Sequence, residues 1–140
     1  MTVRSIPLQV ETKGGGEIEN LTDRIGVALK IARIHSGTVT IFVKHTTASV
    51  MIIEDEPGIR ADTVAVWERL VPKDTKWQHN IRNVGENNGH SHLRGQIQGQ
   101  SVTVPFNEGA LSLGRWQQIV LVDFDTSPRK RDLILQFLGE

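Results

Sequence analysis

The strongest constraint on how this chain folds is a period-two rhythm of apolar residues. Ile6, Leu8 and Val10 recur at every second position, and Val39, Ile41 and Val43 do the same among Thr38, Thr40 and Lys44. Successive side chains of a strand point to opposite faces, so each run predicts a strand with one buried face. Val50 to Ile53 is unbroken and apolar, which predicts a more deeply buried strand. Further strand signals cover Ser101 to Phe106, Gln117 to Phe124 and Arg131 to Leu138. Asn107-Glu108-Gly109 reads as a hairpin turn returning through Leu111 and Leu113. Pro7 has no N–H to give a ladder, so the first strand belongs at a sheet edge.

Helical spacing is rarer. Leu21, Ile25, Ala28, Leu29 and Ala32 mark one face of a helix, with Asn20 as its cap and Gly37 as its stop. Ile59, Thr63, Val66, Trp67 and Leu70 mark a second helix from Pro57 to Leu70, capped by Asp55 or Glu56. A short third helix covers His92 to Ile97. Lys73 to Gly89 is polar and rich in Asn and Gly, and reads as a long loop of the kind that carries function. Six or so strands without strict strand–helix–strand alternation argue against a doubly wound fold. They predict one domain over residues 1–140: α+β and β-rich, a β-sandwich with two or three peripheral helices.

Composition excludes several functions. Lys and Arg number 16 against 16 Asp and Glu, so no net charge drives binding to nucleic acid or an anionic membrane. With no Cys there is no disulfide framework and no thiolate, and a metal site must rest on His and carboxylate. No apolar run approaches the roughly 20 residues of a membrane span. The expected location is the cytoplasm. Walker A, dinucleotide-binding glycine and nucleophile-elbow motifs are all missing from the sequence.

The chemistry-bearing residues lie in the centre of the chain. His45 opens His45-Thr46-Thr47-Ala48-Ser49, and His79, His90 and His92 sit in or beside the polar loop. Such imidazoles suit a divalent metal or an anionic group. His90 and His92 can share one metal only on extended backbone, because residues two apart on a helix point about 200° from each other. Thr46, Thr47 and Ser49 offer hydroxyls, and the loop from Asn83 to Gly89, Asn88 included, offers amides. Glu54 follows a buried strand and is a candidate base. Arg94 and Arg115 are candidate phosphate ligands. Arg129, Lys130 and Arg131 read instead as a solvated run guarding a strand edge.

Together these segments resemble one family. His45-Thr46-Thr47-Ala48-Ser49, Val71-Pro72, Trp77-Gln78-His79, Asn88-Gly89-His90-Ser91-His92, Gly99-Gln100-Ser101 and Leu111-Ser112-Leu113-Gly114-Arg115-Trp116-Gln117 are similar to the YjbQ-like proteins. These proteins are also labelled secondary thiamine-phosphate synthases. The resemblance implies a jelly-roll-like sandwich, a homotrimer and a His-lined site near the subunit boundary. It implies His45, His79 and His92 as ligands of a divalent metal, zinc by preference, with His90 ranked below them. His45, Glu54 and Gln117 stand at its catalytic positions. Thr46, Thr47, Ser49, Asn88, Arg94 and Arg115 would contact a phosphorylated small-molecule substrate. The reaction implied joins a pyrimidine pyrophosphate to a thiazole phosphate. Two positions depart from the family pattern: Arg115 stands where Thr is usual, and Ile53 where Asn is common. The sequence leaves two further functions open, a non-enzymatic trimer that binds an anionic metabolite or regulates a partner, and a metal-dependent hydrolase on the same histidines.

Overall fold

The computed structural model describes residues 1–74 and 76–140. In chain order the elements are β1 (Thr2–Thr12), β2 (Glu17–Asn20), α1 (Thr22–Ala32), β3 (Gly37–Val43), β4 (Ala48–Ile53) and α2 (Pro57–Leu70). They continue with α3 (Gln78–Arg82), α4 (Gly89–Gln98), β5 (Ser101–Asn107), β6 (Ala110–Leu111), β7 (Gln118–Asp123) and β8 (Arg129–Gly139). One sheet has the order β1-β8-β3-β5-β6 and the other β2-β7-β4, and every pairing is antiparallel. This is the expected β-rich α+β arrangement. Strand β1 lies at a sheet edge, where Pro7 leaves no ladder bond unmade on its open side.

The alternating strands supply one wall of the main core. Val39, Ile41, Val104, Leu133, Leu135 and Phe137 face Ala48, Val50, Ile119 and Leu121 of the other sheet, and Ile25, Ala28 and Leu29 of α1 close the gap. The three-stranded sheet is covered on its second face as well. There Met51, Val120, Val122 and Phe124 pack against Trp67 and Val71, with Leu93 of α4 alongside. Burial on both faces explains why β4 and β7 read as continuous apolar runs.

The helix ends show which local signals operated. Pro57 occupies the first turn of α2, and the Glu56 carboxylate accepts from the Gly58 and Ile59 N–H groups, so Glu56 is the cap. Along α2, however, only Trp67 is buried, while Val66 and Leu70 are exposed. Asn20 does accept from the Thr22 N–H, at 3.0 Å. Helix α1 stops before the expected Gly37, at Ala32, with Arg33 in the left-handed region at φ 55°. Gly37 serves β3 instead. It pairs with Gly139, and a Cβ on Gly37 would lie 2.0 Å from the Leu138 carbonyl oxygen.

The predicted loop over 73–89 contains α3, and the short third helix starts three residues early, at Gly89. Thr75, inside that loop, lies outside the described residues. Among the described residues no helix is long and apolar enough to cross a membrane.

Candidate functional site

The loop from β3 to β4, the start of α4 and the start of β8 meet at one end of the sandwich. They enclose an open cavity of about 660 Å³ lined by Lys44, His45, Thr46, Thr47, Asn88 and His92, with Pro128, Arg129, Lys130 and Arg131 opposite. His45, Thr46, Thr47, Asn88 and His92 are among the residues expected from the sequence, whereas Lys44 and the segment from Pro128 to Arg131 are not.

Beneath this cavity lies a buried polar network. Asp125, 2% exposed, accepts from Thr47 Oγ1 at 2.9 Å, from Asn88 Nδ2 at 3.3 Å and from Arg129 Nε at 3.1 Å. Burial pushes its carboxyl up, but the Thr126 N–H, the Thr47 and Asn88 hydrogen bonds and Arg129 outweigh that and hold it below the ordinary Asp value. Asp123, fully buried, takes both Nε and a terminal nitrogen of Arg131 at 2.7 Å, and accepts from Thr12. The same Arg131 nitrogen donates to Thr47 at 2.8 Å. Arg131 is therefore a fixed strut, whereas Lys44, Arg129 and Lys130 reach the cavity from its rim.

The network also sets histidine chemistry. An ionised carboxylate only accepts, so Asp125 turns the Asn88 amide nitrogen toward itself and leaves Asn88 Oδ1 facing His79. That oxygen lies 3.1 Å from His79 Nε2, which must then carry the proton, leaving Nδ1 as the basic nitrogen. The His79 ring lies against His92, with centroids 4.5 Å apart and planes tilted by 52°. Burial, then the neighbouring His79, lowers the pKa of His92. His45 Nε2 accepts the Asp132 backbone N–H at 2.9 Å. Its pKa is also lowered, first by burial and then by Arg131. Both shifts favour the neutral imidazole.

The structure divides the expected site residues. His45, Thr46, Thr47, Asn88 and His92 share the cavity, and His79 adjoins it through His92. Helical geometry sends His90 the other way, into the interior, where it is 3% exposed. Ser49 is fully buried in β4 and is not among the residues that line this cavity. Arg94, placed with the substrate by its charge, is instead buried at 6% exposure, donating to the Val71 carbonyl and to Glu68. Glu54 and Arg115 line a separate cavity of about 350 Å³ with Asp55 and Trp116. They lie beyond the opposite end of β4 from His45, roughly 20 Å away at ~3.3 Å per residue. Gln117 is next to that cavity, its side-chain oxygen accepting the Gly114 N–H at 2.8 Å.

Among the described residues no three His, Asp or Glu side chains converge as a metal-binding set. His79 and His92 are adjacent, but the Nε2 of His45 is taken by the Asp132 N–H. The expected trio is therefore not assembled within this chain.

A family model described as "UPF0047 protein YjbQ-like" matches residues 6–140. A UPF0047 protein of Archaeoglobus fulgidus is 33% identical over 131 residues, covering 94% of this chain and 98% of the relative. Another, from Methanothermobacter thermautotrophicus, is 31% identical over 140 residues, covering 100% of this chain and 95% of the relative. Among solved structures, a hypothetical protein from Aeropyrum pernix K1 superposes with a TM-score of 0.90 at 32% identity, covering 98% of this chain and 99% of that one. A protein of unknown function from Sulfolobus solfataricus P2 gives 0.88 at 27% identity, covering 99% and 100%.

Proposed function

The chain belongs to the UPF0047 YjbQ-like family, and from that premise we propose that it is a small enzyme acting on a phosphorylated small molecule held in the cation-lined cavity. One observation carries the reading. Lys44, Arg129 and Lys130 reach a cavity whose other walls are the His45 and His92 imidazoles, Thr46, Thr47, Asn88 and Pro128, with Arg131 held behind by Asp123, in a chain with no net charge. Concentrating positive charge at one end of a neutral molecule recruits an anion there. Lys44, Arg129 and Lys130 hold the phosphate, Thr46 and Thr47 frame it, and the His92 imidazole stands beside the departing pyrophosphate.

Within that class the specific reaction is thiamine-phosphate formation. The new bond to the thiazole replaces the pyrimidine's bond to pyrophosphate, so negative charge gathers on the departing pyrophosphate. Preorganised cations stabilise such charge. Within the chain His79 and His92 bring two imidazoles together, and the cations carry the stabilisation of charge. Glu54, Gln117 and Arg115 take no part within a single chain.

Calorimetry with inorganic phosphate and pyrophosphate tests the site. Pyrophosphate should bind, and the double substitution Arg129→Ala/Lys130→Ala should weaken it about tenfold or more, as expected for charge-assisted hydrogen bonds. Unchanged binding would overturn the assignment. Turnover of the pyrimidine and thiazole substrates, lost in His92→Ala, separates the enzyme from a protein that only binds the anion.

We also propose that the functional unit is a homotrimer, built on the outer face of the five-stranded sheet. In register across four strands stand Val3, Leu138, Thr38 and Pro105, then Ser5, Gln136, Thr40 and Thr103, then Pro7, Ile134, Phe42 and Ser101. These twelve positions carry no charge, and Phe42 and Leu138 are 44% and 41% exposed. A free surface of that size is rarely kept free of charge, while the centre of an interface is. Light scattering should give about three times the 15.6 kDa chain mass, and Phe42→Lys/Ile134→Lys should return the monomer. A wild-type monomer would sink the trimer.

A further inference from the structure

The cation-lined cavity has a carboxylate at its back. By charge alone that is a cost, since a buried anion repels the anion the cavity would hold. Asp125 stays ionised there because four donors converge on it. Oδ1 accepts the Thr126 N–H at 2.7 Å and Asn88 Nδ2 at 3.3 Å, while Oδ2 accepts Thr47 Oγ1 at 2.9 Å and Arg129 Nε at 3.1 Å. Thr47, Asn88 and Arg129 are cavity walls, and they come from separate segments: the β3–β4 loop, the residue before α4 and the first residue of β8.

Asp125 is itself anchored through its backbone. Its N–H donates to Asp123 Oδ1 at 3.0 Å, and its carbonyl accepts the Gly15 N–H at 2.6 Å. Gly14 permits that approach, because a Cβ there would lie 2.6 Å from the Asp125 carbonyl oxygen. The bond to Arg129 uses Nε, the inner nitrogen of the guanidinium, and the terminal nitrogens take no partner among the described residues. A guanidinium is planar, so holding Nε orients the outer N–H groups as a unit. The Arg129 side chain is 47% exposed at the rim, and Asp125 is its one side-chain partner among the described residues.

We infer that Asp125 is a positioning residue of the anion site: it holds Arg129 with both terminal nitrogens free for a phosphate, and keeps Thr47 and Asn88 at the wall. This inference rests on the proposed anion site and adds the group that organises it.

Pyrophosphate calorimetry on Asp125→Asn tests it through the direction of the change. Asn keeps the shape, removes one negative charge, and must turn its NH2 against at least one of the four donors. If the carboxylate acted only through its charge, its loss would tighten binding. Positioning requires the reverse, about tenfold weaker binding. Arg129→Lys keeps the charge at the rim, but an ammonium cannot bond Asp125 and still offer a separate planar pair of N–H groups, so binding should again weaken about tenfold. The double variant should lie within about twofold of either single one, because both changes remove the same held guanidinium. Glu11→Gln removes an exposed carboxylate 3.9 Å from Lys130 and should bind pyrophosphate at least as tightly as the wild type. In NMR spectra at pH 7 the Arg129 Nε–H signal should be sharp in the wild type and broadened by exchange with water in Asp125→Asn. Binding by Asp125→Asn as tight as the wild type's, or tighter, would overturn the positioning role, and so would equal weakening in Glu11→Gln. Arg129→Lys at wild-type affinity would overturn it whether or not the Asn variant folds. No pyrophosphate binding by the wild type would overturn the anion site itself, and the positioning role with it.

Discussion

Replacing Arg131 with Leu is expected to destabilise the fold by about 3–5 kcal/mol, the cost of stripping the partner from a buried charge. Arg131 and Asp123 are 2% and 0% exposed, and two hydrogen bonds of 2.7 Å join them. Asp125 lies 3.8 Å from the same guanidinium. Removal of the arginine leaves two carboxylates close together in the interior. It also releases Thr47, which Arg131 holds at the cavity wall. A domain of this size has only about 5–15 kcal/mol of stability in all, so the loss should be plain in urea unfolding. The Asp123→Leu/Arg131→Leu double variant should be markedly more stable than the sum of the single changes, because an apolar pair no longer leaves a charge orphaned. A loss below 1 kcal/mol for Arg131→Leu would show that the buried pair does not hold this end of the sandwich together.

That pair also marks the limit of what could be read in the sequence. Period-two spacing predicts β3 and β5 well, and Pro57 with Glu56 predicts the start of α2. In the sequence Arg131 reads as part of a solvated run with Arg129 and Lys130, since the run precedes a strand whose edge it would guard. Yet Arg131 shares parity with Leu133, Leu135 and Phe137, all inward. Asp123 likewise continues the row of Ile119 and Leu121. The two inward rows each end in a charge, and the charges meet. Parity was the available signal, and charge clustering obscured it. The same rule separates Ser49, whose parity turns it from the main core toward α4, from the hydroxyls of Thr46 and Thr47 in the preceding loop. In the sequence the family resemblance groups Glu54 and Arg115 with His45. Within one chain, the six residues of β4 hold these groups apart as a strut does. The Asp125–Asn88–His79 chain had no local signature at all, since its members lie on β7's exit, at α4's start and on α3, and only the tertiary fold joins them.

The histidine that the fold turns away from the cavity should govern the response to acid. His90 is 3% exposed, and its Nδ1 has no hydrogen-bond partner. The Ser91 hydroxyl gives its proton to the Phe124 carbonyl, so it can only accept from His90 Nε2, 3.3 Å away. The neutral ring with its proton on Nε2 is therefore satisfied, and a second proton on Nδ1 would meet no acceptor. Burial pushes the pKa of His90 down to about 4, helped by Arg94 and Lys73 and opposed by Glu68 and Asp125. In the unfolded chain the same ring titrates near 6.5. Between these values the unfolded state binds more protons, so stability rises with pH across that window. This contribution is complete above about pH 6.5 and is lost as pH falls toward 4, by about 3 kcal/mol. His45 and His92 are shifted in the same direction and add to the trend. Urea unfolding of the wild type and His90→Gln at pH 7 and pH 4.5 isolates the ring, because the variant should lose less stability by most of that amount. An NMR titration of the His90 ring should show it still neutral at pH 5. Parallel losses in the two proteins, or a ring that charges near pH 6.5 in the native state, would remove His90 from the acid response.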